Sequence, residues 1–308
     1  MKPNEYLKKI LAEQTFDDDD QELKDLRKRR KDIEKTLRAQ FSKSGPSIRW
    51  GGSMAKGTMI RESYDGDMTC YFEHEEEGAG STLEEIYNNT EEALQGDYVV
   101  KRKASALRVE DSSTTSTKGF AEDLHIDVVP GRYTDDDKDE VFLHRTTGDK
   151  ERLKTNLQVH IDHIKDSGVT EAIRLMKLWK VRNGLTAKTF VLELLVVKLL
   201  KHKKSSGLST QLEHVWTEFR DKPDGLAVGD PANPSGNDLK PILDECRHQL
   251  SSVASNTLWQ IENNGWEAVF GELEEDEDNG KKKKAALHAT AVHVSESKPT
   301  TKPWSPSA

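Results

Sequence analysis

Residues 52–67, with the sequence GSMAKGTMIRESYDGD, constrain the fold and chemistry of this chain more than any other stretch. The segment begins with a Gly-Ser turn and ends with two aspartates one residue apart, Asp65 and Asp67. Because side chains two apart on a β-strand point to the same face, these two carboxylates are predicted to converge. The mainly apolar residues 68–72 supply the strand that this prediction requires.

A third carboxylate is predicted further along the chain. The apolar Leu124, Ile126 and Val128 alternate with other residues, so Asp127 is expected to face away from the buried side of its strand. Carboxylates beside a turn rich in backbone N–H groups suit hard divalent cations and phosphate oxygens. The combination predicts a two-metal site for phosphoryl or nucleotidyl transfer.

Each of these pieces also has a simpler interpretation. Asp65-Gly66 is typical of type I′ hairpin turns, and Gly-Ser pairs are common in loops. The four aspartates at 17–20 could bind a metal, but a solvated stretch that caps the following helix is favoured. The joint arrangement of turn and acids is much rarer than its parts, which favours the metal-site hypothesis.

The composition limits the partners of the chain. At 308 residues it is long enough for two domains, and its net charge of −9 argues against coating long nucleic acid, although small nucleotides stay compatible. The charged N-terminus does not resemble a signal peptide, and the longest apolar run, 190–200, is too short to span a bilayer. Cys70 and Cys246 form no CxxC pattern, which favours reduced thiols. We therefore expect a soluble, cytoplasmic protein without a membrane partner.

The hydrophobic periodicity predicts an α+β core with a mixed, mostly antiparallel sheet, followed by a helical half. The predicted core helices are 4–15, 21–42 and 82–95, and the predicted strands are 47–50, 67–72, 98–103, 106–109 and 124–129. Residues 110–119 are expected to form a hairpin or mobile loop. Strands are expected to end at about 152, and further helices are predicted at 170–182, 187–204, 209–218, 239–252 and 256–263. The predicted division is a core at 1–165, a helical domain at 166–272 and a disordered tail at 273–308.

The acidic residues carry a resemblance to a known family. Gly52-Ser53, then Asp65 and Asp67, then a later strand aspartate at Asp127, resemble the hG[GS]…DxD…D arrangement of the nucleotidyltransferase superfamily. Members of that superfamily build the arrangement on a mixed sheet. The resemblance therefore implies a polymerase-beta-like nucleotidyltransferase core.

The helical half narrows the resemblance. Residues 173–180 (IRLMKLWK) and 190–195 (FVLELL) are similar to the helices of oligoadenylate synthetases and of the bacterial cGAS/DncV-like nucleotidyltransferases. Residues 154–160 (KTNLQVH) are similar to their linker, and the matches together extend over roughly 45–200. The resemblance implies an oligoadenylate-synthetase-like helical domain after the core.

The same resemblance implies a signalling enzyme. It would join nucleoside triphosphates, ATP among them, without a template into a cyclic or short linear oligonucleotide, which in bacteria serves as a second messenger of anti-phage defence. It also implies partner proteins that activate the enzyme or conjugate its C-terminal residue, Ala308. An inert tail is the favoured alternative for these last residues.

Carried over residue by residue, the resemblance assigns the residues that would bind the metal ions. Asp65 and Asp67 would hold two Mg²⁺ ions, for which Mn²⁺ could substitute. Asp127 would complete the second ion site and orient the attacking hydroxyl. The chain departs from the family at Gly66, where an apolar residue is usual, and we expect weaker strand packing beneath the metals there.

The resemblance also assigns the residues that would bind the triphosphate. Gly52 and Ser53 would hold it through backbone and side chain, and Lys177 matches a helix-borne lysine with the same purpose. Thr189 stands where relatives carry serine or glutamine, so its role is carried over on a weaker match.

For several other features, a structural interpretation is favoured over a functional one. The HxDH sequence at 160–163 could ligate zinc but is more often a helix surface. Met176 and Trp179 could stack on a base, yet their helical spacing predicts core residues. Arg132 could reach the phosphates, and the lysines at 281–284 are more often a solvated linker.

Two other functions stay open at this level. The chain could transfer a nucleotide to an RNA end or a small molecule, or it could be a catalytically silent nucleotide sensor or scaffold. The negative net charge disfavours the RNA version. Intact acids at Asp65, Asp67 and Asp127 disfavour the silent version.

Overall fold

The computed structural model describes residues 1–111, 124–136, 138–148 and 150–273. The described residues as far as Gly271 belong to one compact unit. The loop expected at 110–119 lies mostly outside the described residues, and so do the lysines at 281–284 and nearly all of the tail at 273–308. The division into a core and a helical domain at residue 165 stays a prediction.

Helices and strands alternate in the first half of the described chain, and helices fill the second half. The helices are α1 (Pro3–Glu13), α2 (Gln21–Gln40), α3 (Gly52–Lys56), α4 (Leu83–Gln95), α5 (Leu157–Lys165), α6 (Thr170–Arg182), α7 (Thr189–Leu199), α8 (Leu208–Asp221), α9 (Lys240–Asp244), α10 (Arg247–Asn264) and α11 (Glu267–Phe270). The strands are β1 (Ser47–Trp50), β2 (Gly66–Phe72), β3 (Tyr98–Arg102), β4 (Leu107–Asp111), β5 (Ile126–Tyr133), β6 (Val141–His144) and β7 (Arg152–Thr155).

All seven described strands belong to one mixed sheet. Its order is β1-β2-β5-β4-β3, with β6 paired to β5 and β7 to β6. Strands β2 and β5 run parallel, and every other described pair is antiparallel. In the parallel pair Asp67 is the register partner of Asp127. The α+β class with a mixed, mostly antiparallel sheet is thus confirmed.

One face of the sheet packs against α2 and α4. Leu26, Ile33 and Leu37 of α2 recur at helical spacing, so they line one side of the helix and join a core with β2 and β5. Helix α4 begins with a capping box between Thr82 and Glu85, an arrangement that typically stabilises a helix by about 1 kcal/mol. Because strand side chains alternate between faces, this packing leaves Asp67 and Asp127 on the opposite face.

The helical half has its own aromatic core. Met176 and Trp179 are fully buried, the Trp179 ring lies 5.9 Å from that of Trp216, and its Nε1 donates a hydrogen bond to a threonine of α10. The prediction that these are core residues is confirmed. The Tyr6 hydroxyl of α1 donates a hydrogen bond to the carbonyl of Gly271, which ties the first helix to the last. None of the described helices is long and apolar enough to cross a membrane.

Strand β5 is longer than predicted because it continues through a proline. Pro130 pairs with Cys70 of β2 on one side. On the other side, the pairing with β4 reaches Val128 and the pairing with β6 begins at Arg132. Pro130 therefore lies between two antiparallel partners, where its missing N–H leaves no ladder hydrogen bond unmade.

Two further predictions of local structure were wrong, and a third is confirmed only in part. Strands β6 and β7 were not predicted, so the expectation that strands end at about 152 is wrong, and β7 overlaps the segment 154–160 that is similar to the family's linker. The two helices predicted at 239–252 and 256–263 are the short α9 and the continuous α10. Asp20 stands at the N-cap of α2, but its side chain accepts hydrogen bonds from the Asp17 N–H and Arg61 instead of the helix.

Candidate active site

The Gly-Ser turn is the first turn of the short helix α3, which follows β1. Gly52 has a φ of +50°, and a Cβ atom on it would overlap the Asp67 carboxylate and lie 2.9 Å from the Asp67 Cβ. Only glycine fits there without strain. The Ser53 Oγ is shielded from solvent and has no hydrogen-bond partner among the described residues. A hydroxyl in this state is suited to a ligand, because a buried polar atom is stabilised when it is bonded.

The acidic residues end up where the pattern predicts. Asp65 directly precedes β2 and Asp67 is its second residue, so the type I′ turn interpretation is wrong. Gly66 is buried, and a Cβ atom on it would overlap the side chain of Ile126 and lie 3.2 Å from Leu26 Cδ1. The expected loss of packing beneath the acids does not occur, because Ile126 occupies the space.

Asp127 lies on the face opposite Ile126 and Val128, as predicted, but it is buried instead of open. The Lys103 ammonium donates to its Oδ2, and the Arg108 Nε lies 3.4 Å from its Oδ1. Arg108 belongs to β4, and Lys103 lies in the turn between β3 and β4. They compensate the negative charge of Asp127 where no cation is bound.

The pKa values of Asp65 and Asp67 are shifted in opposite directions. The neighbouring His125 imidazole holds the pKa of Asp65 below its usual value. Burial, followed by the negative charges of Asp65 and Asp127, raises the pKa of Asp67 from 3.8 to about 7. The arrangement therefore disfavours full ionisation of the set unless a cation arrives.

The donor atoms suit a divalent ion. Asp65, His125 and Asp127 each place one ligand atom within 4.8 Å of the others, and among the described residues no other group of this kind could hold a metal. The sequence-level prediction omitted His125, although its spacing of two from Asp127 puts both residues on one face. Asp67 lies outside this compact group, but it is the register partner of Asp127 on the adjoining strand.

The HxDH sequence at 160–163 does not form a metal site in the described structure. His160 Nε2 lies 3.1 Å from the Thr155 Oγ1 and 3.5 Å from a carboxylate oxygen of Asp230. Its side chain is 14% exposed, so the expected surface position is wrong for this residue. His160 belongs to a buried contact between α5 and the connection after α8.

Lys177 extends from α6 to the turn after α3. Its Nζ donates a 2.7 Å hydrogen bond to the Thr58 carbonyl, and burial lowers its pKa. The opposing charges that raise its pKa are those of Glu193, Asp65 and Asp67, so the ammonium is within electrostatic reach of the acids. Lys177 thus lies in the candidate site, as the resemblance implies.

A buried network that the sequence analysis did not identify surrounds this lysine. Glu193 of α7 accepts 2.8 Å hydrogen bonds from the Lys56 Nζ and from the Thr58 Oγ1. Glu193 is 2% exposed. A single acid inside the almost wholly apolar helix α7 was the available signal, since a buried charge requires a partner. The network fixes the turn after α3 against α6 and α7.

Thr189 lies next to a second lysine. Its Oγ1 accepts a 3.0 Å hydrogen bond from the Lys180 Nζ. Burial lowers the pKa of Lys180, and the negative charge of Asp65 offsets part of that shift. Lys180 was not assigned a role from the sequence. Arg132, by contrast, donates to the carbonyls of Glu76, at 2.6 Å, and Ser81, at 3.0 Å, so it supports a loop instead of reaching toward phosphates.

Comparisons with known proteins give relatives in fold. No protein-family model matches the sequence, and no curated protein sequence matches it. Among solved structures, CdnC of E. coli, in complex with HORMA-deltaN, is 20% identical, with 82% of this chain and 92% of that chain covered and a TM-score of 0.57.

Two further structures are similar. The cyclic AMP-GMP synthase DncV of Vibrio cholerae, a prokaryotic cGAS homolog, is 16% identical, with 76% of this chain and 70% of that chain covered and a TM-score of 0.57. CdnG of Bradyrhizobium diazoefficiens, a CD-NTase in complex with GTP, is 12% identical, with 94% and 99% covered and a TM-score of 0.59. The chain therefore has the fold of the cGAS/DncV-like nucleotidyltransferases, as the resemblance of its motifs implies.

Proposed function

We propose that this chain is a template-independent nucleotidyltransferase that joins nucleoside triphosphates into a cyclic or short linear oligonucleotide. The carrying observation is that Asp65 and Asp127 place ligand atoms close together, with Asp67 in register with Asp127, beside a turn whose Ser53 hydroxyl is buried and lacks a partner among the described residues. The likeness in fold to cyclic dinucleotide synthases supports the same conclusion.

The acids supply the metal site in this proposal. Asp65, Asp67 and Asp127 would hold divalent ions, taken as two Mg²⁺ with Mn²⁺ as a substitute. Bound ions would supply charge stabilisation for the attacking hydroxyl and for the departing pyrophosphate. The chain's own contribution is to fix three oxygen donors on two hydrogen-bonded strands, and to keep Asp127 where it can orient the attacking hydroxyl.

The basic residues of the helical half supply the triphosphate site. Ser53 would donate its hydroxyl to a phosphate oxygen, and the glycine before it lets the backbone approach. Lys177 and Lys180, both with pKa values lowered by burial, would compensate phosphate charge, and Thr189 positions Lys180. The negative charge of a bound triphosphate would then stabilise the protonated lysines, which burial disfavours.

The wider role follows from the same fold. We propose that the product serves as a second messenger of anti-phage defence, with ATP among the substrates. CdnC is described in a complex with a HORMA protein, and an activating partner is proposed for this chain as well. A partner that conjugates Ala308 is a separate proposal, and that residue lies outside the described residues.

The test uses the purified full chain with each labelled NTP, singly and mixed, in Mg²⁺ or Mn²⁺. A labelled product that survives phosphatase would show a cyclic oligonucleotide, and a product trimmed by phosphatase would show a linear one. The Asp65→Asn/Asp67→Asn double variant, which keeps the side-chain shapes, is the matched control and should form neither. Label that enters added RNA, or NTP binding without any product, would instead support the RNA-end enzyme or the silent sensor.

A further inference from the structure

His125 belongs to the acidic site by position. It directly precedes β5 and stands two residues before Asp127, so both side chains lie on the same face. Its Nε2 lies 3.7 Å from the Asp65 Oδ2. One ligand atom each from Asp65, His125 and Asp127 lies within 4.8 Å of the other two.

The backbone of His125 is fixed by the sheet. The Gly66 N–H donates a 3.2 Å hydrogen bond to the His125 carbonyl, which extends the β2–β5 ladder one residue beyond β5. The His125 side chain is 15% exposed, so the imidazole is enclosed with the acids and not extended into solvent. A ligand held by a strand in this way is positioned before any ion arrives.

The chemistry of the three donors is not that of an all-oxygen site. Mg²⁺ takes oxygen ligands in a nearly ideal octahedron, whereas first-row transition ions accept imidazole nitrogen as well as carboxylate. We propose that His125 is a direct nitrogen ligand of the divalent ion held by Asp65 and Asp127, and that it makes the site prefer Mn²⁺ to Mg²⁺. This inference rests on the metal site of the proposed function and adds a ligand to it.

The competing explanation is that His125 only orients Asp65 through a hydrogen bond. A spectroscopic experiment separates the two. The untagged full chain is loaded with Mn²⁺ and tripolyphosphate, which contains no nitrogen, and electron spin-echo envelope modulation reports nitrogen bonded to the manganese. We expect ¹⁴N modulation of a directly coordinated imidazole, changed to the ¹⁵N pattern when histidine alone is labelled with ¹⁵N.

The variants assign the nitrogen. His125→Gln should abolish the modulation and reduce the ratio of Mn²⁺ to Mg²⁺ affinity by about tenfold, a typical effect of altering a metal's ligand environment. His202→Gln, at an exposed histidine after α7, is the matched control and should change neither. If His125→Gln does not fold, the labelled wild-type spectrum together with the unchanged His202→Gln spectrum still decides whether histidine coordinates.

Each outcome has a defined consequence. Mn²⁺ bound to the wild type without histidine modulation would overturn the inference and leave the proposed metal site intact, with His125 as a positioning residue. Modulation that persists in a folded His125→Gln variant would assign the nitrogen to another histidine and overturn it as well. No Mn²⁺ binding in the wild type, with tripolyphosphate present, would contradict the proposed function itself.

Discussion

Gly52 and Asp67 are in direct contact, with no room for a side chain between the α3 backbone and the carboxylate. The Gly-Ser turn and the acidic strand are therefore one assembly, although the two residues belong to different elements. The φ of +50° at Gly52 adds a second requirement for glycine.

Gly52→Ala should reduce nucleotide transfer by at least about 100-fold, because a shifted carboxylate no longer holds its ion in position. Gly57→Ala is the matched control: its φ is +72°, but nothing lies within 4 Å of the added Cβ. That variant should lose only about 1 kcal/mol of stability from backbone strain and retain most activity. Turnover and urea unfolding of both variants test the pair, and equal loss of activity in the two would contradict it.

Asp67→Asn should stabilise the ion-free protein considerably more at pH 8 than at pH 5. The folded pKa of about 7 exceeds the reference value of 3.8, so the folded state keeps a proton that the unfolded state releases. Stability therefore falls as pH rises from about 4 to about 7, and the substitution removes that loss, on the order of 4 kcal/mol. Thermal unfolding in EDTA at both pH values measures it.

Asp65→Asn is the control of opposite sign. The lowered pKa of Asp65 means that its ionised form contributes stability above its unfolded pKa, which is lost as pH falls through the lower folded value. This variant should therefore be destabilised at pH 8. The assignment fails if both substitutions shift the unfolding temperature in the same direction at pH 8.

Lys103→Met should tighten Mn²⁺ binding by a few-fold, because the Lys103 ammonium occupies Asp127 and repels an incoming cation. Lys101→Met is the matched control: Lys101 lies two residues earlier, in β3, and pairs with the partly exposed Glu110 at 2.7 Å. Isothermal titration with Mn²⁺ compares the two. Unchanged or weaker affinity in Lys103→Met would mean that the ion pair does not compete with the metal.

Glu193→Ala should destabilise the fold by about 3–5 kcal/mol, since it leaves the buried Lys56 ammonium without its carboxylate. The Lys56→Met/Glu193→Leu double variant should lose clearly less, because both charges are removed together. A double-mutant cycle by urea unfolding measures the coupling between the two residues. Additive losses in the cycle would show that the pair is not coupled.

Lys177→Ala should raise the KM for NTPs more than it lowers kcat, because a lysine that grips the triphosphate binds ground and transition states similarly. Met176→Ala, one position earlier and fully buried, should instead reduce stability by about 2–5 kcal/mol. Steady-state kinetics and thermal unfolding distinguish the two variants. An unchanged KM in Lys177→Ala would place the triphosphate elsewhere.

The sequence was most informative where the two-residue alternation of a strand coincides with a chemical motif. Asp65 and Asp67 could be assigned to a strand because an apolar run follows them, and Asp127 because Ile126 and Val128 alternate with it. Both assignments depend on a period of two, which survives any tertiary arrangement.

The missed features depend on contacts across long stretches of chain. Lys103 reaches Asp127 through the β3–β4 turn, and Lys56 reaches Glu193 across more than a hundred residues. Neither lysine stands in a pattern that separates it from a surface lysine. His125 had the spacing of a site residue, but a lone histidine without a predicted partner gives no chemical signal. Strand β6 has only a short alternation and, unlike the equally short β1, does not lead into a recognisable motif.

The parallel register of β2 and β5 makes the folding of the core and the assembly of the acids a single event. A slip of β5 by one residue would turn Ile126 and Val128 toward the acids and bury Asp127 among apolar side chains. A mispaired chain would thus lose hydrophobic burial and its third carboxylate at the same step. Cellular quality control that degrades poorly packed molecules would thereby also remove molecules whose acidic site is misassembled.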